Sequence, residues 1–345
     1  MKPLKYLLLS AFLLTAFINT SHAAWLWSPG SGKWSNAKDV PQDTPEAQFF
    51  AAKIYFEKDD FKRAIDEFNK VIKHFPRSNW AAEAQYYIGL TYEKMDNAGK
   101  AADAYRVLTD RYPYSERLND ATEREFELAE KMMAGKKTRV LGLEIMPAKD
   151  VAANLYEHIV KVAPYGPYGA VAQYRLGDAE LETGNFDEAQ VAYQTTIDEY
   201  PNSEYAEKAK YKLAQITFDA ALDEQYHETR MDEAVTRYEG FKKSYPDSEL
   251  ELDANDAIKE LRSKKAENVL RTAEFYEGRG KFPSAKIYYQ DVISGFPETD
   301  SAIIAKEKIQ AIKDREEGRE PKKPEPKKVK PKAKKEPKKK KFWLF

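Results

Sequence analysis

The sequence predicts an all-α fold built from about six helix pairs, on the evidence of three recurring positions. A Pro follows an aromatic or apolar residue six times, an Ala stands twelve residues before each of these Pro residues, and an aromatic residue stands eight before it. Such spacing is typical of repeat proteins, in which stacked units bury apolar faces that one unit alone leaves open. The six sets are Ala64, Phe68 and Pro76; Ala101, Tyr105 and Pro113; Ala152, Tyr156 and Pro164; Ala189, Tyr193 and Pro201; Ala234, Tyr238 and Pro246; and Ala285, Tyr289 and Pro297.

Each unit is predicted to hold two amphipathic helices. In the second unit, apolar residues at helical spacing predict a first helix over about residues 80–94 and a second over about 101–111, with a turn at 96–99. The second helix ends before Pro113, because the residue ahead of a Pro disfavours helix. In the fourth unit the turn is at Gly184 and Asn185. The aromatic residue eight before the Pro is expected to fill the space towards the next unit.

Small residues are expected where the two helices of a unit cross. They stand twenty-four residues before the Pro in four units, and a larger side chain there would overpack the crossing at a cost of about 1–3 kcal/mol. These residues are Ala52, Gly89, Gly177 and Ala273.

Unequal gaps between the Pro residues locate the insertions. The third unit has extra residues around 136–147 and the fifth has them at 222–230. Residues 249–265, ahead of the sixth unit, have a helical pattern and are predicted to lengthen its first helix. Insertions in repeat proteins tend to lie on one face.

The first 23 residues have the pattern of a secretory signal. Lys2 and Lys5 precede an apolar stretch over residues 7–18, and Ser21 and Ala23 offer small side chains for cleavage before residue 24. The alternative is a retained N-terminal anchor helix. We therefore expect an exported, periplasmic protein whose residues 24–44 form a Trp-containing linker.

The residue inventory argues against catalysis and against a cofactor. The chain has no Cys, so it has no disulfide, thiolate nucleophile or lipid-bearing cysteine. Its four His stand at no metal-ligand spacing, and the Gly-containing stretch 29–33 lacks the spacing of a phosphate-binding loop. Paired carboxylates occur at turns and helix starts, where they favour the helix dipole. We expect no enzyme activity, no metal and no cofactor.

The repeat resembles the tetratricopeptide repeat, which implies a superhelix of helix pairs. Small residues of that family match Gly89 and Ala101, and its aromatic positions match Tyr92 and Tyr105. The Tyr/Phe-Pro-x-Ser/Thr ending and the 37-residue step are similar to the BamD (YfiO) outer-membrane assembly family, over residues 45–312. The resemblance implies a scaffold that binds a barrel-assembly core protein and unfolded outer-membrane clients.

Two features depart from that family. Its members are lipoproteins anchored through an N-terminal Cys and usually have five repeats, whereas this chain has no Cys and six units. We therefore expect peripheral attachment to the outer membrane without a lipid. The alternative resemblance is to CpoB-like periplasmic proteins, which coordinate cell-wall synthesis with the Tol–Pal system and carry a coiled coil before their repeats. Residues 24–45 are too short for one and lack heptads.

The resemblance also implies a binding surface on the first helix of each unit. Exposed aromatic residues beside charges would suit an extended peptide, although several of these positions could instead belong to the core. The candidate residues are Phe49, Lys53, Phe56, Tyr86, Leu90, Glu93, Tyr174, Asp178 and Leu181.

The C-terminal tail, residues 313–345, is predicted to be disordered because it is rich in Lys and Pro. Residues 321–341 hold twelve Lys and two Glu, which gives this segment a net charge of +10. The rest of the chain therefore carries about −11, since the net charge of the whole chain is −1. The tail is either a solvated linker or a contact to an anionic membrane or the cell wall; nucleic acid does not fit an exported protein. Aromatic residues at both ends are the expected membrane contacts: Trp25, Trp27, Phe342, Trp343 and Phe345.

Overall fold

The computed structural model describes residues 40–135, 148–223 and 228–319, together with the backbone of two short strands. The predicted signal segment, the 136–147 insertion and the tail beyond residue 319 lie outside the described residues. The elements are β1 (Trp25–Ser28), β2 (Lys33–Asn36), α1 (Pro45–Glu57), α2 (Phe61–His74), α3 (Asn79–Lys94), α4 (Ala98–Arg111), α5 (Leu118–Met133), α6 (Ala148–Val162), α7 (Gly169–Thr183), α8 (Phe186–Glu199), α9 (Glu204–Asp223), α10 (Glu228–Ser244), α11 (Glu251–Gly278), α12 (Phe282–Gly295) and α13 (Asp300–Glu316).

The prediction of an all-α tetratricopeptide fold is confirmed for the repeats. Helices α1 to α12 form six pairs, one for each predicted unit, and α13 follows the last pair. The long first helix expected in the sixth unit is present as the 28-residue α11. None of the helices among the described residues is both long enough and apolar enough to cross a bilayer.

A two-stranded hairpin precedes the repeats, an element that the sequence did not lead us to expect. Strands β1 and β2 pair in antiparallel register, with Trp25 opposite Asn36 and Trp27 opposite Trp34. Aromatic residues favour strands, and Pro29-Gly30 between them is a typical turn signal. We name this segment, residues 25–36, the N-terminal hairpin.

The chain divides into two compact units. The first contains the N-terminal hairpin, α1 to α4 and the beginning of α5 as far as Arg124. The second contains the remainder of α5, from Glu125, and α6 to α13. Consecutive helices pack on one another from α1 to α4 in the first unit and from α6 to α13 in the second.

Local sequence sets the helix ends. Thr44, Asp60, Asn97 and Thr299 accept a hydrogen bond from a backbone N–H of the first turn that would otherwise lack a partner. Gly184 ends α7 in the left-handed conformation, at φ +87°, which glycine adopts without steric cost. Helix α4 begins at Ala98 rather than at the predicted residue 101, because the Asn97 side chain caps it.

The repeated positions form the core. All six repeated Ala residues and all six aromatic residues eight before the Pro are at most 1% exposed. A Cβ added to Gly89 would lie 2.4 Å from the ring of Tyr105, and one added to Gly177 would lie 2.6 Å from the ring of Tyr193. The small residues therefore make room for an aromatic ring of the same unit. The predicted packing towards the next unit is also present in unit one, where Phe68 lies 5.5 Å from Tyr87.

Candidate protein-binding site

Aromatic side chains of α1 and α3 form a continuous surface in the first compact unit. Phe49 lies at its centre, with ring centroids 5.7 Å from Phe50, 4.9 Å from Trp80 and 5.2 Å from Tyr87. Phe56 adds an edge contact to Tyr87 at 5.3 Å. We name these five residues the aromatic strip. Such tilted and edge-to-face pairs stabilise one another beyond the area they bury.

The strip reaches solvent and carries positive charge. Phe50 is 46% exposed, whereas Phe49 beneath it is 3% exposed. The Lys53 ammonium lies 5.7 Å from the centroid of Tyr87, and the Lys94 ammonium lies 4.9 Å from that of Phe56. An ammonium over a ring face is attracted by its negative π-density. This surface offers apolar contact area and cations together.

Three of the candidate residues in this unit contribute to the strip, and three lie beside it. Phe49 and Phe56 belong to it, although Phe49 is buried as a support for its neighbours, and Lys53 contacts it over the ring of Tyr87. Tyr86 is also buried and has the Arg117 guanidinium 4.9 Å from its centroid. Leu90 and Glu93, on the same helix, are half-buried.

Glu93 is engaged within the protein. Its carboxylate accepts a hydrogen bond from the Tyr105 hydroxyl at 2.5 Å, and Arg124 approaches it at 3.9 Å. Other repeats show the same arrangement of a Tyr hydroxyl, a carboxylate and a basic side chain. The basic side chain comes from the first helix of the following unit or from the helix that carries the carboxylate. The sets are Tyr156, Glu130 and Arg175; Tyr193, Asp178 and Arg175; and Tyr289, Glu277 and Lys308.

The candidate residues of the fourth repeat lie in the second compact unit and have a structural role there. Tyr174 is buried 5.6 Å from the ring of Tyr193, and Asp178 accepts a 2.7 Å hydrogen bond from the Tyr193 hydroxyl. Leu181 is half-buried in the same cluster. These contacts fix the α7–α8 pair.

Burial and the adjacent carboxylate act in the same direction on the repeated Tyr hydroxyls. Burial is the larger cause of the raised pKa of Tyr193, and the negative charge of Asp178 adds to it. The pKa values of Tyr105 and Tyr289 are raised by burial and by hydrogen bonds to Glu93 and Glu277. A phenolate beside a carboxylate in a poorly hydrated site is unfavourable, so these hydroxyls stay protonated and donate.

Sequence reasoning missed Phe50, Trp80 and Tyr87. Residues 50 and 87 each stand 26 before their Pro, one place after the candidate positions 49 and 86. The sequence could have revealed both residues, since an aromatic residue recurs at this position in the first two units. Trp80 lies outside the repeat register of the candidates, at the start of α3, and reaches the strip because that helix end lies beside Phe50.

The predicted membrane contacts are not described. Phe342, Trp343 and Phe345 lie outside the described residues, and for Trp25 and Trp27 the structure describes only the backbone of β1.

Comparison with known protein families supplies the missing context. The family model YfiO, described as an outer membrane lipoprotein, matches residues 148–325, which is more than half of the chain. This chain belongs to the YfiO family. A tetratricopeptide repeat model also matches residues 46–78 and 83–115, so four residues of the aromatic strip lie within two matched repeats and Trp80 lies between them.

Solved structures similar to this YfiO chain include MamA, a TPR protein and a pilus biogenesis factor. MamA is 20% identical, with 56% of this chain and 94% of that chain covered at a TM-score of 0.31. A thermophilic TPR protein from Thermus thermophilus is 16% identical, with coverages of 62% and 99% and a TM-score of 0.31. PilW, a type IV pilus biogenesis factor, is 13% identical, with coverages of 79% and 99% and a TM-score of 0.28. No curated protein matches the sequence.

Proposed function

We propose that this YfiO chain is a non-catalytic scaffold of the cell envelope that takes part in the assembly of outer-membrane β-barrel proteins. Membership of a family described as an outer membrane lipoprotein supports the location, and the tetratricopeptide repeats support protein binding. The observation that carries the binding role is the partly exposed aromatic strip with Lys53 and Lys94 over its rings.

The strip suits an extended segment of an unfolded outer-membrane client. Exposed rings offer large contact areas at low entropic cost, which is why aromatic residues dominate binding hot spots. Lys53 and Lys94 would attract a carboxylate of the segment, while Phe50 and Trp80 would hold an aromatic or branched side chain. A barrel-assembly core protein would be the second partner, bound elsewhere on the repeats.

We place the chain in the periplasm, peripheral to the outer membrane. The family's description includes a lipid anchor, and this 345-residue sequence has no Cys to carry one. In this proposal the basic C-terminal tail supplies contact with an anionic membrane, where each Lys near the surface contributes about 1 kcal/mol at low salt.

Affinity purification of the tagged chain from bacterial envelopes tests the assignment. Recovery of a barrel-assembly core protein together with unfolded barrel proteins is the expected result. Recovery of Tol–Pal components or cell-wall synthases, without the barrel-assembly protein, would replace this proposal with a CpoB-like role in cell-wall synthesis.

Point variants then test the strip. Phe50→Ser and Lys53→Glu remove an exposed ring and reverse a charge, and each should lower capture of a barrel-protein segment at least tenfold. Val107→Ser is the matched control, since Val107 is 44% exposed on α4, against 46% for Phe50. Equal capture by Phe50→Ser and Val107→Ser would exclude the strip as the client site. Tyr86→Ala is a poor probe, because Tyr86 is buried and its loss would disturb the fold.

A further inference from the structure

Five helices pack on the second helix of the preceding repeat through the same three positions. These helices are α3, α7, α9, α11 and α13. These positions stand 8, 12 and 15 residues after the preceding Pro, and the first of them is always Ala. A small residue there allows close helix packing. The sets, all buried or half-buried, are Ala84, Ile88 and Thr91; Ala172, Leu176 and Ala179; Ala209, Leu213 and Ile216; Ala254, Ile258 and Leu261; and Ala305, Ile309 and Ile312.

Helix α1 carries the same set without a preceding repeat. The equivalent residues are Ala47, Ala51 and Ile54, which match Ala84, Ile88 and Thr91 when counted back from each unit's own Pro. Ala47 is exposed, Ala51 is half-buried and Ile54 is 50% exposed. We name these three residues the open face of α1.

A terminal face with this composition needs a cover. The end units of repeat proteins generally turn a polar surface outwards, because an uncovered stacking face remains exposed to water. The open face of α1 instead keeps the Ala-and-aliphatic composition of interior helices. That composition indicates that a further element packs against it.

We infer that the N-terminal hairpin packs on the open face of α1 and closes the first end of the repeat array. The hairpin has the composition for it, since residues 25–36 contain Trp25, Leu26, Trp27 and Trp34. An Ala on a helix surface leaves a shallow depression beside its neighbours, into which a broad indole ring fits.

The connection between the two elements permits this docking. Eight residues, 37–44, join β2 to α1 and can reach up to about 26 Å when extended. Ile54 lies nine residues into α1, about 14 Å along its axis. Residue 42 already lies beside the first turns of α1, since the backbone N–H of Gln42 donates a hydrogen bond to Gln48 Oε1 at 2.8 Å.

This inference assigns Trp25 and Trp27 to the protein's own surface instead of a membrane. It does not depend on the client or on barrel assembly. The open face borders the aromatic strip, because Phe50 stands three residues after Ala47 and four before Ile54 on α1.

Engineered disulfides in the full chain test the docking, and the absence of native Cys leaves the new pair as the sole reactive thiols. The test pair is Asn36→Cys with Ile54→Cys, since Asn36 is paired with Trp25 and therefore lies on the same face of the hairpin as the three Trp residues. The control pair is Asn36→Cys with Asp66→Cys, since Asp66 is an exposed residue of α2 outside the open face. Under mild oxidation, the test pair should form an intramolecular disulfide at least tenfold faster than the control pair.

Two results would overturn the inference. Equal rates for the two pairs would mean that the hairpin does not rest on the open face. A disulfide that links two copies instead of one would mean that a second copy is the cover. Mass spectrometry under non-reducing conditions distinguishes these products.

A second measurement avoids any reliance on cysteine variants. Ile54→Asp should lower the thermal midpoint of the full chain by several degrees, because it places a carboxylate under the hairpin. The same substitution should have at most a quarter of that effect when Trp25, Trp27 and Trp34 are replaced by Ser. An undiminished effect without the tryptophans would refute the docking.

Discussion

Replacement of Gly177 by Ala provides a direct test of the close helix crossing. The added Cβ would lie 2.6, 2.7 and 2.9 Å from three ring carbons of Tyr193, closer than carbon atoms pack. Tyr193 is fully buried and its hydroxyl is bonded to Asp178, so the ring cannot move aside without breaking that contact. Overpacking of this kind costs about 1–3 kcal/mol.

Helix propensity opposes that cost. Gly to Ala within a helix stabilises by about 1 kcal/mol, so the net effect of Gly177→Ala is between about zero and 2 kcal/mol of destabilisation. A control removes this ambiguity. Gly240 lies inside α10 with no atom within 4 Å of an added Cβ, so Gly240→Ala gains the propensity without the clash. The two variants should differ by about 1–3 kcal/mol.

Urea unfolding followed by circular dichroism measures this difference. Gly240→Ala should unfold at a higher urea concentration than the parent and Gly177→Ala at a lower one. In a protein that already carries Tyr193→Leu, adding Gly177→Ala should destabilise less than it does in the parent, since the ring that the new Cβ would meet is gone. Equal midpoints for the two Gly variants would refute the crossing geometry.

Three further results are expected. Tyr193→Phe should cost about 1–2 kcal/mol in urea unfolding, since it removes the 2.7 Å hydrogen bond to Asp178; no loss would mean that water replaces the hydroxyl. The pKa of Tyr193 is raised in the folded state, so its contribution to the free energy of unfolding is complete below pH 10. Above pH 10 this contribution decreases by about 1.4 kcal/mol per pH unit, because the unfolded chain ionises first. Unfolding midpoints measured from pH 8 to 11.5 should therefore fall less steeply for Tyr193→Phe than for the parent, and equal slopes would contradict this. His158→Ala should cost about 3 kcal/mol, since His158 is bonded at 2.7 Å to the buried Glu125; a cost below about 1 kcal/mol in urea unfolding would show that the pair is not stabilising.

Membrane attachment has its own test. Residues 24–320 should float with anionic liposomes less than the full chain does, and the difference should vanish in high salt, because Lys–lipid attraction is screened. Equal flotation at low salt would exclude a role for the tail.

The repeated positions predicted the helix pairs well because steric demands fix them. The residue before a Pro disfavours helix, and an Ala or Gly is needed where rings or helices approach closely, so spacing alone located six units. The third unit shows the limit of counting. Counting 24 residues back from Pro164 gives Val140, inside the insertion, so the count no longer locates the helix crossing.

The site was predicted less completely than the fold. Counting positions from a Pro selects a helix face but not the depth of each side chain, so Phe49 and Tyr86 were grouped with residues that reach solvent. Their burial depends on neighbours from outside their own helix, Trp80 and Arg117, which no local pattern reveals. The Tyr–carboxylate contacts were equally invisible, since Glu93 and Asp178 stand at different distances from their Tyr.

The two contact faces of helix α11 restrict how its length can change during evolution. Its first part packs on α10 through Ala254 and Leu261, and its second part packs on α12 through Leu270 and Ala273. Because an α-helix turns 100° per residue, a single-residue deletion between Leu261 and Leu270 would swing one contact face away from its partner. A seven-residue change would turn the faces by only about 20° but move them about 10 Å apart or together. Length variation in this helix should therefore occur in whole-heptad steps, whereas the connection between α1 and α2 is free of that phase constraint.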